Sequence, residues 1–484
     1  MEIKENPLSN LPLYKGEKGR MGKISGKHIL IAALVLAALV YVANFNFQRI
    51  GYINDDAYYI NAARWLAGAQ RVQKDFSSRS LGFAFVLAPV AAVCGAGNTP
   101  FRIPSLIFSL ASVYLAYLLF STVAGEKTAL IIALMTAFNP LTVIFAPAVM
   151  SEETFLFFEL LSIFLFMKYR TAGVFSPKKI LFISLSLSFA SFIRPEGFLL
   201  IACIVTALAV SGKRRDALYT AFFSLIFLLP VLIKSAGLGA GLDKYIDELF
   251  FPYFHGAGLS PLIKNAGYFA GEISYSVFLT EFARARLGGL KIIPEAAILT
   301  VLAAGFIKGN AEKGNASSAV IKTYTVMYLL FHIVWPSRGE RFLIAVLPFL
   351  FFIFFGAVER AGKKAAAYSC AFFMLLFAWQ DFLILDYRMP PLTPETFAFV
   401  KNRTPREAVF ASDIQARFFL LTGRKTINPP VVFSADDFYY ILAREKAEFV
   451  AMFNEKLLAT EYAFPTVVLS GLKRIPQKSV YLII

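Results

Sequence analysis

The sequence predicts an all-α polytopic membrane protein of about eleven transmembrane helices, with interfacial juxtamembrane helices and a small C-terminal α/β extracytoplasmic domain. Three observations lead there. First, the 484 residues are 57% hydrophobic and only 17% charged, with a mean hydropathy of +0.62, and a soluble domain of that size needs more polar surface. Second, apolar runs of about 15–22 residues recur from Ile29 to Leu385 between short charged loops; that is the length a helix needs to cross a bilayer with its backbone satisfied internally. Third, from about residue 388 the pattern changes to short helical and strand-like segments.

The spans fall near 29–47, 103–122, 128–147, 154–168, 180–193, 197–211, 217–233, 294–307, 322–336, 342–358 and 365–385. The first run, Ile29 to Phe47, has no small-residue cleavage site and more spans follow, so it reads as a retained span rather than a signal peptide. The run Leu81 to Gly95 is short and broken by Pro89, which places it at the interface rather than across the bilayer. Basic residues test that choice. With Lys15, Lys18, Arg20, Lys23 and Lys27 in the cytoplasm, the clusters at 168–179, 213–215, 308–322 and 360–364 also fall inside. Counting Leu81 to Gly95 as a crossing would put most of them outside. The net charge of +16 therefore reads as membrane orientation and contact with anionic lipid, not as nucleic-acid binding.

Three units result: a basic cytoplasmic N-terminus at 1–28, a transmembrane module at 29–387 and an extracytoplasmic α/β domain at 388–484. In the last, "TPETFAFVKNRTP" reads as a capped helix, "AVFAS" and "SVYLII" as strands, and "SDIQARFFLLTGR" as a helix ending at Gly423. Cys94, Cys203 and Cys370 lie in apolar segments, and His28, His255 and His332 are scattered. No disulfide framework or metal-ligand spacing is readable.

The same parity puts "NDDAYY", "SEET" at 151–154, "RPEG" at 194–197 and "SRGER" at 337–341 on the outer face. Each has a structural reading. Asn54 can cap a helix whose first turn holds Asp55 and Asp56, and Ser151 can cap one holding Glu152 and Glu153. Arg194 and Glu196 can close a Pro turn, and Arg338 and Arg341 can snorkel to lipid phosphates. Arg79 can anchor a headgroup. Each also has a functional one, since ionisable residues at the hydrocarbon edge are costly to keep. Arginines hold phosphate by bidentate, charge-assisted hydrogen bonds. A carboxylate in a partly desolvated cleft accepts a proton from an attacking hydroxyl or amine. Acids on two loops with arginines on three suit a lipid-anchored phosphate leaving group.

Taken in order, these motifs resemble the GT-C superfamily of integral-membrane glycosyltransferases, in the branch of protein O-mannosyltransferases and lipid A aminoarabinose transferases. The carriers are the "DD" pair before two juxtamembrane helices, the "SEET" acid, the "RPEG" turn, "ERFLIAVLP" and a C-terminal extracytoplasmic domain. The resemblance implies an inverting transfer of a sugar from a polyprenyl-phosphate donor to a protein, lipid or glycan acceptor in the cell envelope. It implies Asp55 as general base, with Asp56 and Glu152 orienting acceptor or sugar. Arg79, Arg194, Arg338 and Arg341 would bind the donor phosphate; Glu153, Glu196, Tyr59 and His255 complete the candidates. No cofactor or metal is expected, and there is no Asp-x-Asp motif. The main rival is a secondary transporter or lipid-linked sugar flippase. Transporters, however, gather ionisable groups near the midplane on broken helices, often with repeats, whereas these charges sit at span ends and no repeat is visible.

Overall fold

A computed structural model describes residues 26–46, 50–51, 53–68, 80–95, 97–171, 176–237, 260–308, 316–335, 337–386, 394–427, 440, 442–447, 449–451, 472–474 and 481–483. Each run expected to span contains helix. The helices are α1 (Gly26–Ala43), α2 (Asp55–Leu66), α3 (Gly82–Cys94), α4 (Arg102–Val123), α5 (Glu126–Ala137), α6 (Pro140–Phe145), α7 (Ser151–Thr171), α8 (Pro177–Ile193), α9 (Gly197–Val210) and α10 (Arg214–Gly237). After the 238–259 gap follow α11 (Ser260–Glu272), a π-helical turn (Ile273–Phe278), α12 (Glu281–Leu287), α13 (Ile292–Lys308), α14 (Ala316–Val334), a 3-10 helix (Glu340–Val346), α15 (Leu347–Ala361) and α16 (Lys363–Asp386).

Among the described residues, five stretches are long and apolar enough to cross a membrane: Gly26–Ala43, Thr99–Val123, Glu281–Ile307, Glu340–Ala361 and Lys363–Leu385. Of the remaining expected spans, α5, α8 and α9 are shorter and α7 carries more charge. Two expected spans are also broken. The run 128–147 divides because α5 ends at Ala137 and a new helix starts at Pro140. Asn139 Oδ1 accepts from the Leu141 N–H at 3.0 Å, and Pro140 supplies a first residue with no N–H to lose. The run 342–358 begins as the 3-10 helix and becomes α-helical only from Leu347, with Pro348 in its first turn. The short, Pro-containing run at 81–95 is the single helix α3, packed on α2.

Position in the bundle follows from composition. The stretch Glu340–Ala361 is 78% buried and lies at its centre, whereas the stretches from α1 and α16 are each 22% buried and turn Ile31, Leu39, Leu375 and Phe382 outward. Phe fills the interior: Phe278 meets Phe351 edge-on at 5.4 Å and Phe354 at 4.6 Å. Where α13 crosses α15 the backbones nearly touch. A Cβ on Gly305 would sit 2.3 Å from the Ile353 carbonyl oxygen, so only glycine allows that approach. Gly197 does the same at the start of α9, where a Cβ would lie 2.3 Å from the Ser191 nitrogen. That is the local reason the "RPEG" turn ends in glycine.

The C-terminal region holds α17 (Pro394–Arg403), β1 (Val409–Ser412), α18 (Gln415–Thr422), β2 (Lys425–Ile427), β3 (Phe449–Ala451), β4 (Leu472–Arg474) and β5 (Tyr481–Ile483). The sheet order is β2-β1-β3-β5-β4, with β1 parallel to β2 and β3, and β5 antiparallel to β3 and β4. Helix α18 ends, as expected, on Gly423 in the left-handed conformation at φ 69°. It has two apolar faces. Phe418 packs in the small core beside Phe397 and Phe410, while Ala416 and Phe419 join the main core of the bundle.

Candidate active site

Four helix ends that are remote in sequence converge. They are the start of α2, the start of α7, the turn between α8 and α9, and the 3-10 helix at 340–346. Arg341 Nη2 donates to Asp55 Oδ2 at 2.8 Å, and its Nε lies 3.6 Å from Glu152 Oε1. Arg194 Nη1 donates to the same Glu152 oxygen at 2.8 Å and to the Ser151 hydroxyl at 3.1 Å. Its Nη2 and Nε both donate to Glu196 Oε1, at 2.8 and 3.2 Å. The result is an alternating chain, Asp55–Arg341–Glu152–Arg194–Glu196. His332 Nε2 ends it, 3.4 Å from Glu196 Oε1, an electrostatic contact longer than an ordinary hydrogen bond.

One aromatic ring carries the two cations. The guanidinium carbons of Arg194 and Arg341 lie 5.4 and 5.3 Å from the centre of Phe342, and His332 stacks on that ring at 4.8 Å. Tyr59, packed edge-on against Phe83, donates to the Ser151 hydroxyl at 3.1 Å. Ser151 therefore serves the cluster through its hydroxyl, where a helix cap is the sequence expectation. Asn54 also departs from expectation, since its side chain makes no cap to α2. The Arg194–Glu196 pair expected of a closed Pro turn is formed, and Glu152 extends it.

Several atoms of the chain remain unsatisfied. Arg341 Nη1, Glu152 Oε2 and Glu196 Oε2 are buried and make no hydrogen bond among the described residues. Buried donors and acceptors are normally paired, so such atoms mark where a further polar group belongs. Arg194, by contrast, has its nitrogens committed to protein oxygens.

The other candidates separate. Glu153 is buried one position round the helix from Glu152, and among the described residues it takes no part in the ion-pair chain. Arg338 is exposed; its Nε donates to Asn265 Oδ1 at 2.7 Å and its guanidinium lies over Tyr268. Arg79 and His255 lie outside the described residues. His332 and Phe342 touch the ion-pair chain, and sequence reasoning passes over both. The only written signal for either is that Phe342 directly follows Arg341. Among the described residues no group of three or more His, Cys, Asp or Glu is placed to hold a metal ion.

Asp56 faces away from Arg341. Its Oδ2 accepts from the Gly51 N–H at 2.6 Å and its Oδ1 from the Ala57 N–H at 2.7 Å. Burial pushes its carboxyl up, those two N–H groups and Arg417 pull it back in part, and it titrates at about 6 against an ordinary 3.8. Between those values the folded protein holds a proton that the unfolded chain has lost, so this group makes stability fall as pH rises from about 4 to 6. Asp56→Asn should remove that slope. The stability difference between the two proteins should move in the variant's favour by roughly 2 kcal/mol from pH 4 to pH 7. Unfolding midpoints in detergent at both pH values read it directly, and a constant difference would refute it. At Glu196, burial alone would raise the carboxyl, but Arg194 and His332 outweigh it and hold the group below the ordinary range.

Comparison with known proteins bears on the fold that carries this geometry. Residues 78–235 match the family described as dolichyl-phosphate-mannose-protein mannosyltransferase, a stretch that includes Glu152 and Arg194. Among solved structures, the oligosaccharyltransferase of Archaeoglobus fulgidus in complex with Zn and sulfate superposes with a TM-score of 0.61 at 11% identity, over 93% of this chain and 73% of that one. ArnT from Cupriavidus metallidurans bound to undecaprenyl phosphate superposes with a TM-score of 0.58 at 10% identity, over 95% and 98%. The chain has the GT-C fold. The A. fulgidus oligosaccharyltransferase AglB, solved with an inhibitory peptide and a dolichol-phosphate, shares that fold with a TM-score of 0.58 at 12% identity, over 88% of this chain and 69% of that one. Among curated proteins none matches by sequence. Identities this low establish the GT-C architecture and leave the chemistry to be argued from the side chains.

Proposed function

We propose that the protein is an inverting glycosyltransferase that moves a sugar from a polyprenyl-phosphate donor to an acceptor on the extracytoplasmic face of the cell membrane. The observation that carries this reading is the Asp55–Arg341–Glu152–Arg194 chain, with Arg341 Nη1 buried and unbonded beside the aspartate. Asp55 accepts the proton of an acceptor hydroxyl or amine. The acceptor's electron pair forms a bond to the anomeric carbon as the bond to the phosphate oxygen breaks on the opposite face, which inverts the centre. The departing phosphate takes that bonding pair, and Arg341 stabilises the charge it gathers. Glu152 sets the angle of Arg341 and, through its second oxygen, orients a sugar hydroxyl. Arg194 and Glu196 hold Glu152 in place. AglB with dolichol-phosphate and ArnT with undecaprenyl phosphate support the donor class. The basic N-terminus lies in the cytoplasm and the C-terminal domain outside it, in agreement with the charge of the loops. The mechanism needs no metal.

The test is purified protein in lipid bilayers, with EDTA present, offered a panel of polyprenyl-phosphate sugars and nucleophilic acceptors. Release of free polyprenyl phosphate together with a glycosylated product is the expected result. Flux of an unmodified lipid-linked sugar across sealed vesicles, with no covalent product, would establish the transporter reading instead.

A further inference from the structure

We propose that helix α18 of the C-terminal region is a positioning element for the catalytic aspartate, clamped to α2 by Asn54 and Asn61. The inference rests on reading Asp55 as the base. Asn54 is the residue immediately before Asp55, and its backbone sits at φ 66° and ψ −39°, a positive φ that residues with a side chain rarely adopt. Its side chain leaves its own helix uncapped and reaches across to α18, where Oδ1 accepts from the Arg417 N–H at 3.0 Å.

Arg417 is the third residue of α18, and an N–H there has no partner inside the helix. The residue before α18 is Ile414, whose side chain cannot cap. Asn54 therefore caps α18 from another part of the chain. Seven residues on, and so on the same face of α2, Asn61 Nδ2 donates to the Ala416 carbonyl at 3.0 Å. The two contacts grip consecutive residues of α18. Asn61 and Ala416 are buried, so neither bond competes freely with water.

The clamp is tied to the sheet behind it. Gln415 Nε2 donates to the Thr426 carbonyl at 3.0 Å, and the Thr426 hydroxyl donates to the Gln415 carbonyl at 3.1 Å. Thr426 lies on β2, paired with Phe410 of β1. A continuous path of hydrogen bonds thus runs from the sheet through α18 to the backbone that carries Asp55. The Arg417 side chain adds a positive charge felt by Asp56 in the same first turn. Asn54 and Asn61 touch no reacting atom; they fix the angle at which α2 presents Asp55 to Arg341.

The test compares Asn54→Gly, Asn54→Asp and Asn61→Ala in the full-length protein in bilayers. Glycine adopts a positive φ without strain and removes the cross-helix bond, and aspartate restores an acceptor oxygen. A small displacement of a reacting group costs up to about 100-fold in rate. The expected result is a 10- to 100-fold fall in kcat for Asn54→Gly and Asn61→Ala, with KM for the lipid-linked donor within about twofold and rescue by Asn54→Asp. Hydrogen exchange reads the clamp independently of activity: amides of 55–60 should exchange faster in Asn54→Gly, with those of α4 and α7 unchanged. Wild-type kcat and unchanged exchange in the two weakening variants would overturn the proposal. So would a KM rise that accounts for the whole loss, or a failure of Asn54→Asp to rescue. If the wild-type protein transfers no sugar, the function reading fails, and the exchange measurement still decides the clamp.

Discussion

Asp55→Asn is expected to reduce sugar transfer by about 10²- to 10⁴-fold, the contribution a positioned general base makes. The substitution is close to isosteric. The amide oxygen can still accept the 2.8 Å hydrogen bond from Arg341 Nη2, so α2 and the ion-pair chain keep their geometry. What disappears is the capacity to take a proton from the acceptor. KM for the donor should stay nearly constant, because the ground state gains nothing from that basicity, and the loss should fall on kcat. The measurement is polyprenyl phosphate released per folded, membrane-inserted molecule. Transfer by Asp55→Asn at the wild-type rate would remove Asp55 from the mechanism. Glu153→Gln is the informative companion. That carboxylate is one residue from Glu152 yet makes no contact with Arg194 or Arg341 among the described residues, so its turnover should stay within a few-fold of wild type.

The membrane architecture was readable because apolar runs and basic loops follow from the cost of placing polar groups in hydrocarbon. The acids and arginines at 55, 152, 194 and 341 were readable as candidates for the same reason. Their partnership was not, since Arg341 and Asp55 are 286 residues apart and only the packing of the 3-10 helix beside α7 brings them together. Nor does spacing say which of two adjacent acids faces the cluster. Neighbours on a helix point about 100° apart, and the rotation of α7 selects Glu152 over Glu153. The break at Asn139–Pro140 was written plainly, as a helix-start pair inside an apolar run, but hydropathy averaging passes over it. Asn54 was legible as a cap, though of the wrong helix: side-chain capping depends on which N–H groups lie near, and the one its side chain reaches belongs to α18.

Arg341 is the second position at which a large effect is expected, because one guanidinium does three things at once. Its Nη2 holds Asp55, its Nε faces Glu152, and its Nη1 is buried without a partner. A buried donor left unmade costs about 1–3 kcal/mol, so the fold keeps it only where a further acceptor completes it, and a phosphate oxygen meets that need. Lysine keeps the charge but not the planar fork, and cannot serve three directions together. Arg341→Lys should therefore lose about 10- to 100-fold in kcat/KM, and Arg341→Ala about 10²- to 10³-fold. In the alanine variant Asp55 and Glu152 also lose their shared cation and repel one another, so its melting temperature should fall as well. Arg338→Ala supplies the contrast on the same loop. That side chain is exposed and engaged with Asn265 and Tyr268, and its loss should cost no more than about threefold. The decisive comparison is steady-state kinetics with the lipid-linked donor varied. Equal losses at Arg338 and Arg341 would mean that both arginines act as general headgroup anchors, and the leaving-group role of Arg341 would fall.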